Sequence, residues 1–92
     1  MIVRWTPIAL RDLESLHGYV AEDSLPAATA TVERILSGIE ALSRHPDIGR
    51  KGRVPGTREL IITPYIVAYR TKGTALALLA IIHSARRWPD YF

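Results

Sequence analysis

The sequence predicts an α+β fold, β-α-α-β-β-β, in which a helical hairpin packs on one face of a small antiparallel sheet. Three observations carry that expectation. Two adjoining segments of the first half repeat apolar residues at helical spacing. Three segments of the second half are β-rich and punctuated by turn residues, and a short alternating segment opens the chain. The 92 residues leave room for one domain, 1–92, with a thin core. A chain of this length buries only roughly 60–65% of the surface that it exposes when unfolded.

The opening stretch Ile2-Val3-Arg4-Trp5 alternates and reads as a short strand, with Trp5 in the core. Thr6 then serves as an N-cap, and Pro7 sits at the first helical position, where its missing N–H costs nothing. Ala9, Leu13, Leu16 and Val20 form an apolar stripe that predicts a helix over 7–22. Ser24 and Pro26 restart a helix whose stripe is Ala28, Val32, Ile35, Ile39 and Leu42. Glu40 and Arg44 stand four residues apart on its outer side. His45-Pro46 stops it, because the residue before proline is pushed away from helical angles. Two amphipathic helices joined this tightly form an antiparallel hairpin.

Strands follow at 58–63, 65–71 and 75–83, with turns at Thr63-Pro64 and Lys72-Gly73. The last is apolar at both parities, the pattern of a central strand covered on both faces. In the strand before it, Tyr65, Val67, Tyr69 and Thr71 point one way, and Ile66, Ala68 and Arg70 the other. The hairpin can cover only one of these sets. Cover for the other must come from the C-terminal stretch "SARRWPDYF" or from a partner, and a partner is the expectation here.

Composition removes several classes of chemistry. The absence of cysteine excludes disulfides and thiolate zinc sites. His17, His45 and His83 fall at no metal-ligand spacing, so neither metal nor cofactor is expected. No G-x-S-x-G elbow occurs, and the glycines at 49, 52 and 56 follow a helix without the closing Lys-Ser or Lys-Thr of a phosphate loop. The longest apolar run, 75–82, is far short of the roughly 20 residues of a membrane helix, and the N-terminus has no signal-peptide core. A cytoplasmic protein without membrane contact is expected.

Charge is distributed unevenly. Residues 1–44 carry −2 and residues 45–92 carry +5, and the glycine-rich stretch 45–58 alone holds +3. Such a one-sided basic field draws phosphate or an acidic partner. Arg50, Lys51, Arg53, Arg58, Arg70 and Arg87 are therefore the candidates for binding nucleic acid or another target. Cleavage of RNA needs a base for the 2′-OH proton, an acid for the leaving oxygen and cations on the phosphorane. His83 and Tyr91 are the acid–base candidates and Arg86 the charge clamp. Against these stand plainer roles. A strand-end histidine often serves as a hydrogen-bonded cap, Arg86-Arg87 as a solvated corner, Trp88 and Tyr91 as packing, and the basic loop as a connector.

The order of motifs resembles the RelE/ParE superfamily of toxins, the toxin halves of type II toxin–antitoxin (addiction, or plasmid-stabilisation) modules. "HPDIGRKGRVPGTREL", "PYIVAYR" and "IIHSARRWP" carry the resemblance, which runs from about residue 3 to residue 89. It implies a cognate antitoxin whose acidic C-terminal segment wraps the toxin, with Tyr65, Val67, Tyr69 and Trp88 assigned to that contact. It also implies one of two targets. RelE-like members cut mRNA on the ribosome, and ParE-like members inhibit DNA gyrase.

The nuclease pattern is matched in part. Lys51, Arg53 and Arg58 can take the loop cations, Arg86 and Tyr91 the C-terminal arginine and tyrosine. Tyr65 and Ile66 stand where a strand arginine would be, with Arg70 displaced along the strand. "IIHSA" resembles the "LH" pair of the ParE branch. The reading therefore leans to a ParE-like toxin, with an mRNA endoribonuclease and a non-toxic antitoxin-binding module as the alternatives.

Overall fold

The computed structural model describes residues 1–84. Its elements are β1 (Ile2–Trp5), α1 (Pro7–Ala21), α2 (Leu25–Arg44), β2 (Arg50–Lys51), β3 (Arg58–Ile62), β4 (Tyr65–Lys72) and β5 (Ala75–His83). Thr6 caps α1 by accepting from the Ala9 N–H at 3.2 Å, and its hydroxyl also donates to the Leu78 carbonyl at 2.7 Å. One side chain thus starts the helix and ties it to β5. Ser24 caps α2 in the same way, through the Ala27 N–H. His45 terminates α2, as the following proline requires.

The strands form one five-stranded sheet in the order β1-β5-β4-β3-β2. The meander β3–β4–β5 is antiparallel, as expected, but β1 lies parallel to β5. The reason is directional. The helical hairpin returns the chain to its starting point, where the Met1 ammonium donates to the Ser43 carbonyl at 2.9 Å. A three-strand meander begun from that end leaves its last strand running the same way as β1. The basic loop also contains a strand missing from the sequence reading, β2, which pairs Arg50 with Glu59 and Lys51 with Arg58.

A bulge in β5 decides which residues face the helices. Tyr69 is opposite Leu78 and Ala68 is opposite Ala80, so Leu79 is the extra residue. Before it the helix-facing positions are Leu76 and Leu78; after it they are Ile81 and His83. This explains the apolar character at both parities. The strand is central, but much of its pattern comes from this switch of faces.

The main core joins Ala9 and Leu16 of α1 and Ile35, Ile39 and Leu42 of α2 to Val67, Tyr69, Leu76, Leu78 and Ile81, with Trp5 and Leu60 packed at its margin. Gly38 lets α2 settle onto β3, since a methyl group there would come within 2.5 Å of Ile62 Cδ1. On the other side of the sheet Ile66, Ala68, Ala80 and Ile82 make a second buried cluster, against which Val54 and Leu79 pack.

β1 ends at Trp5, so it pairs with β5 only as far as Leu78. Beyond that point α1 crosses the edge of β5, and the Asp12 carboxylate accepts the Ile81 N–H at 2.9 Å. A helix side chain here does the work of a missing strand, since an unpaired buried N–H is costly. Replacing Asp12 with alanine is expected to lower the unfolding free energy by about 1–3 kcal/mol. Asp12→Asn, whose amide oxygen can still accept, loses less. Urea denaturation of the three proteins measures both effects, and equal midpoints would remove this role.

Candidate functional site

The stretch that leaves α2 is held by two buried side chains. The first is Tyr69, which has no exposed surface. Its hydroxyl donates to the Pro46 carbonyl at 2.6 Å and accepts from the Gly49 N–H at 3.0 Å. Gly49 lies so close to the ring that a β-carbon there would collide with it. Burial pushes the Tyr69 phenol above its ordinary pKa. The Gly49 N–H and the Arg58 guanidinium offset this in part, and Asp47 adds slightly to it.

The second anchor is Glu59, 1% exposed on β3. Its carboxylate takes Arg50 Nη2 at 3.1 Å, the Arg53 backbone N–H at 3.1 Å and Arg53 Nε at 3.4 Å. Arg58 donates to the Gly49 carbonyl at 2.7 Å and lies 3.9 Å from the Asp47 carboxylate. The segment between them closes on itself, the Gly52 N–H bonding the Thr57 carbonyl at 2.8 Å and the Thr57 hydroxyl the Val54 carbonyl at 2.6 Å. The loop is therefore a shaped hairpin whose three arginines are all engaged. Counting Glu59, residues 45–59 carry +2. Lys51 is its one exposed cation without a bond to another described residue.

Sheet register sorts the remaining site residues. Arg58 is opposite Tyr69 and shares its helix-side face, whereas Arg70, the next residue of β4, projects from the outer face. His83 is opposite Tyr65, at the far end of β4, with ring centroids 5.7 Å apart in an edge arrangement. Five residues of strand separate Tyr65 from Arg70, about 17 Å. The imidazole and these guanidiniums do not share a rim. His83 instead opens onto a groove of about 650 Å³ that Asp12, Ser15, Tyr19 and Tyr65 also line. Arg86, Arg87, Trp88 and Tyr91 lie outside the described residues.

The expected antitoxin contacts need correction. Val67 and Tyr69 have no exposed surface, because theirs is the face that the helical hairpin covers. Neither can meet a partner while that core is intact. Tyr65, 8% exposed, lines the groove. Sequence reasoning also missed Glu59 and Asp12. Glu59 left a signal, being the one acid between Asp47 and Asp90 amid eight cations of that half. Asp12 left none, since its partner is a backbone N–H 69 residues away. Among the described residues no group of histidine, cysteine and acidic side chains could hold a metal ion, and no helix is long and apolar enough to cross a membrane.

Comparison with known proteins agrees with this architecture. The family model described as the ParE toxin of the type II toxin–antitoxin system parDE matches residues 3–88. Y4kP of Sinorhizobium fredii, named as a toxin, is 38% identical over 90 residues, covering 96% of this chain and 93% of the relative. Toxin RelE3 of Caulobacter vibrioides is 33% identical over 85 residues, covering 88% and 91%. Among solved structures, the chromosomal ParDE toxin–antitoxin system from P. aeruginosa superposes with a TM-score of 0.79 at 28% identity, over 90% of this chain and 95% of that one. The toxin–antitoxin complex RelBE2 from Mycobacterium tuberculosis gives 0.63 at 29% identity, over 89% and 95%.

Two substitutions test the anchors. Tyr69→Phe leaves the Pro46 carbonyl and the Gly49 N–H without their partner and is expected to cost about 1–3 kcal/mol at neutral pH. A raised folded-state pKa means that above about pH 10 the unfolded chain releases this proton first, so wild-type stability falls there. The deficit of Tyr69→Phe therefore narrows at alkaline pH in urea melts, and a constant deficit would contradict the assignment. Glu59→Ala frees guanidiniums that are 55% and 39% exposed and can return to water. Its cost is expected at about 1–2 kcal/mol, below the 3–5 of a fully buried pair. Faster amide exchange at Gly52 and Arg53 than in wild type accompanies it.

Proposed function

The chain belongs to the ParE toxin family of type II toxin–antitoxin systems, and from that membership we propose that it arrests growth by trapping DNA gyrase on DNA. On this reading it binds its target without cutting RNA, in the cytoplasm, until a cognate antitoxin covers it. The supporting observation is the position of His83. This imidazole is the acid–base candidate among the described residues, and it sits on the helix-side face beside Tyr65. Arg70 projects from the opposite face about 17 Å along the strand. Acid–base cleavage needs proton-transfer groups and phosphate clamps within hydrogen-bond reach of one phosphodiester. The described part of the chain supplies a binding surface more readily than such a centre.

A second reading, ribosome-dependent mRNA cleavage, draws on the RelE-named relatives and on the RelBE2 structure. In it His83, Arg86 and Tyr91 would carry the proton transfers and the charge clamp. Induced expression separates the two. The gyrase reading expects SOS induction and cleaved DNA held on gyrase, with mRNA intact. It also expects His83→Ala to remain toxic. Rapid mRNA cleavage at ribosomes that is abolished in His83→Ala would overturn it in favour of the second.

A further inference from the structure

With the loop arginines engaged inside the hairpin, unneutralised positive charge lies on the outer face of the sheet. Arg4 of β1 is opposite Ala77 of β5, and Ala77 is opposite Arg70 of β4. One step along, Ile2, Ala75 and Lys72 form the next row. Arg4, Arg70 and Lys72 are exposed and make no bond or ion pair with any described residue. Two strand spacings, roughly 10 Å, separate Arg4 from Arg70, and roughly 7 Å separates Arg70 from Lys72. Across the sheet Arg50 marks the opposite edge, four spacings or roughly 19 Å from β1. Glu59, the acid of this face, is already occupied by Arg50 and Arg53.

The floor between these cations is made of small side chains. Ala75 and Ala77 are half-buried and lie between Arg4 and the Arg70–Lys72 pair. Methyl groups let a polymer backbone come close, but they offer neither a socket for an apolar anchor nor a donor that could tell one base from another. No described residue that points from this face carries an aromatic ring or an imidazole. Among the described residues, therefore, this face offers neither a ring for stacking on bases nor a group for acid–base chemistry. Arg4, Arg70 and Lys72, the cations of this face left without a bond to a described residue, lie within roughly 12 Å of one another. Charge above a flat methyl floor suits a phosphate backbone better than an acidic polypeptide segment, whose apolar side chains would find no pocket between these cations.

We propose that the outer sheet face, through Arg4, Arg70 and Lys72, is a sequence-independent docking site for the phosphodiester backbone of nucleic acid. The site goes beyond the gyrase reading and needs neither gyrase nor ribosome. It is tested with the full chain and a fluorescent duplex of about 20 base pairs, followed by anisotropy between about 50 and 200 mM salt. An RNA of the same sequence in a parallel arm tells which nucleic acid is preferred. Three neutralised phosphates give a log–log salt slope of about −2.7. The triple variant Arg4→Gln, Arg70→Gln, Lys72→Gln is expected to bind at least about tenfold more weakly at the lowest salt and to lose most of that slope.

Arg11→Gln, on α1, is expected to match wild type. Arg4→Lys with Arg70→Lys keeps the slope and shows that charge is what is read. Circular dichroism melts confirm that each variant is folded. An unchanged slope in the folded triple variant overturns the proposal. So does a polyglutamate probe that outcompetes the duplex at equal charge, since that marks the face as a surface for acidic protein. A chain that binds DNA through these residues yet leaves gyrase untouched sinks the target reading alone.

Discussion

The bulge at Leu79 is the constraint on which the rest of the molecule depends. A strand of strict alternation could offer the helices either Leu76 and Leu78 or Ile81, but not all three. The extra residue moves the chain to the other parity in mid-strand, so all three enter the core beneath α1 and α2. The same shift turns Ala75 and Ala77 outward at one end and Ala80 and Ile82 outward at the other. One inserted residue thereby assigns both faces: leucine and isoleucine toward the hairpin, and a floor of alanines between cations on the outside.

Two further devices stand on that frame. The Tyr69 phenol reaches from the core to the end of α2 and pins the chain where it leaves the helix. Glu59, on the opposite face of the neighbouring strand, gathers the following turn through Arg50 and Arg53. Held from both sides of the sheet, a segment with three glycines and two prolines keeps a defined shape. Most of its charge is spent in doing so. That is why the basic stretch most visible in the chain carries less free charge than the rows of β1 and β4.

This separation of roles matters for a toxin. The arginines that hold the hairpin and those whose charge faces solvent on the outer sheet face are different residues, although they look alike in the chain. The groove at His83 lies at the end of β4 away from Arg70 and Lys72, so a contact made there need not compete with one made on the outer face.

Much of this fold was legible in the chain, because the signals were local. Helix periodicity, the caps Thr6 and Ser24, the stop at His45-Pro46 and the turn residues each act within a few positions, and every element but the two-residue β2 formed within about a residue of where they indicated. Family membership was legible for the same reason, being carried by ordered motifs. The candidate site was not. Whether Tyr69 is a contact or a core pin, and whether Arg50 and Arg53 are free, depends on which residues share a face. Register decides that, and one bulge can invert it. The parallel seat of β1, the Asp12 bond to Ile81 and the Arg4–Ala77–Arg70 row join residues far apart in the chain. Sequence determined the elements and their order, whose causes are short-range. Tertiary structure alone decided which charges are neutralised and which face solvent, since that depends on partners brought together only by folding.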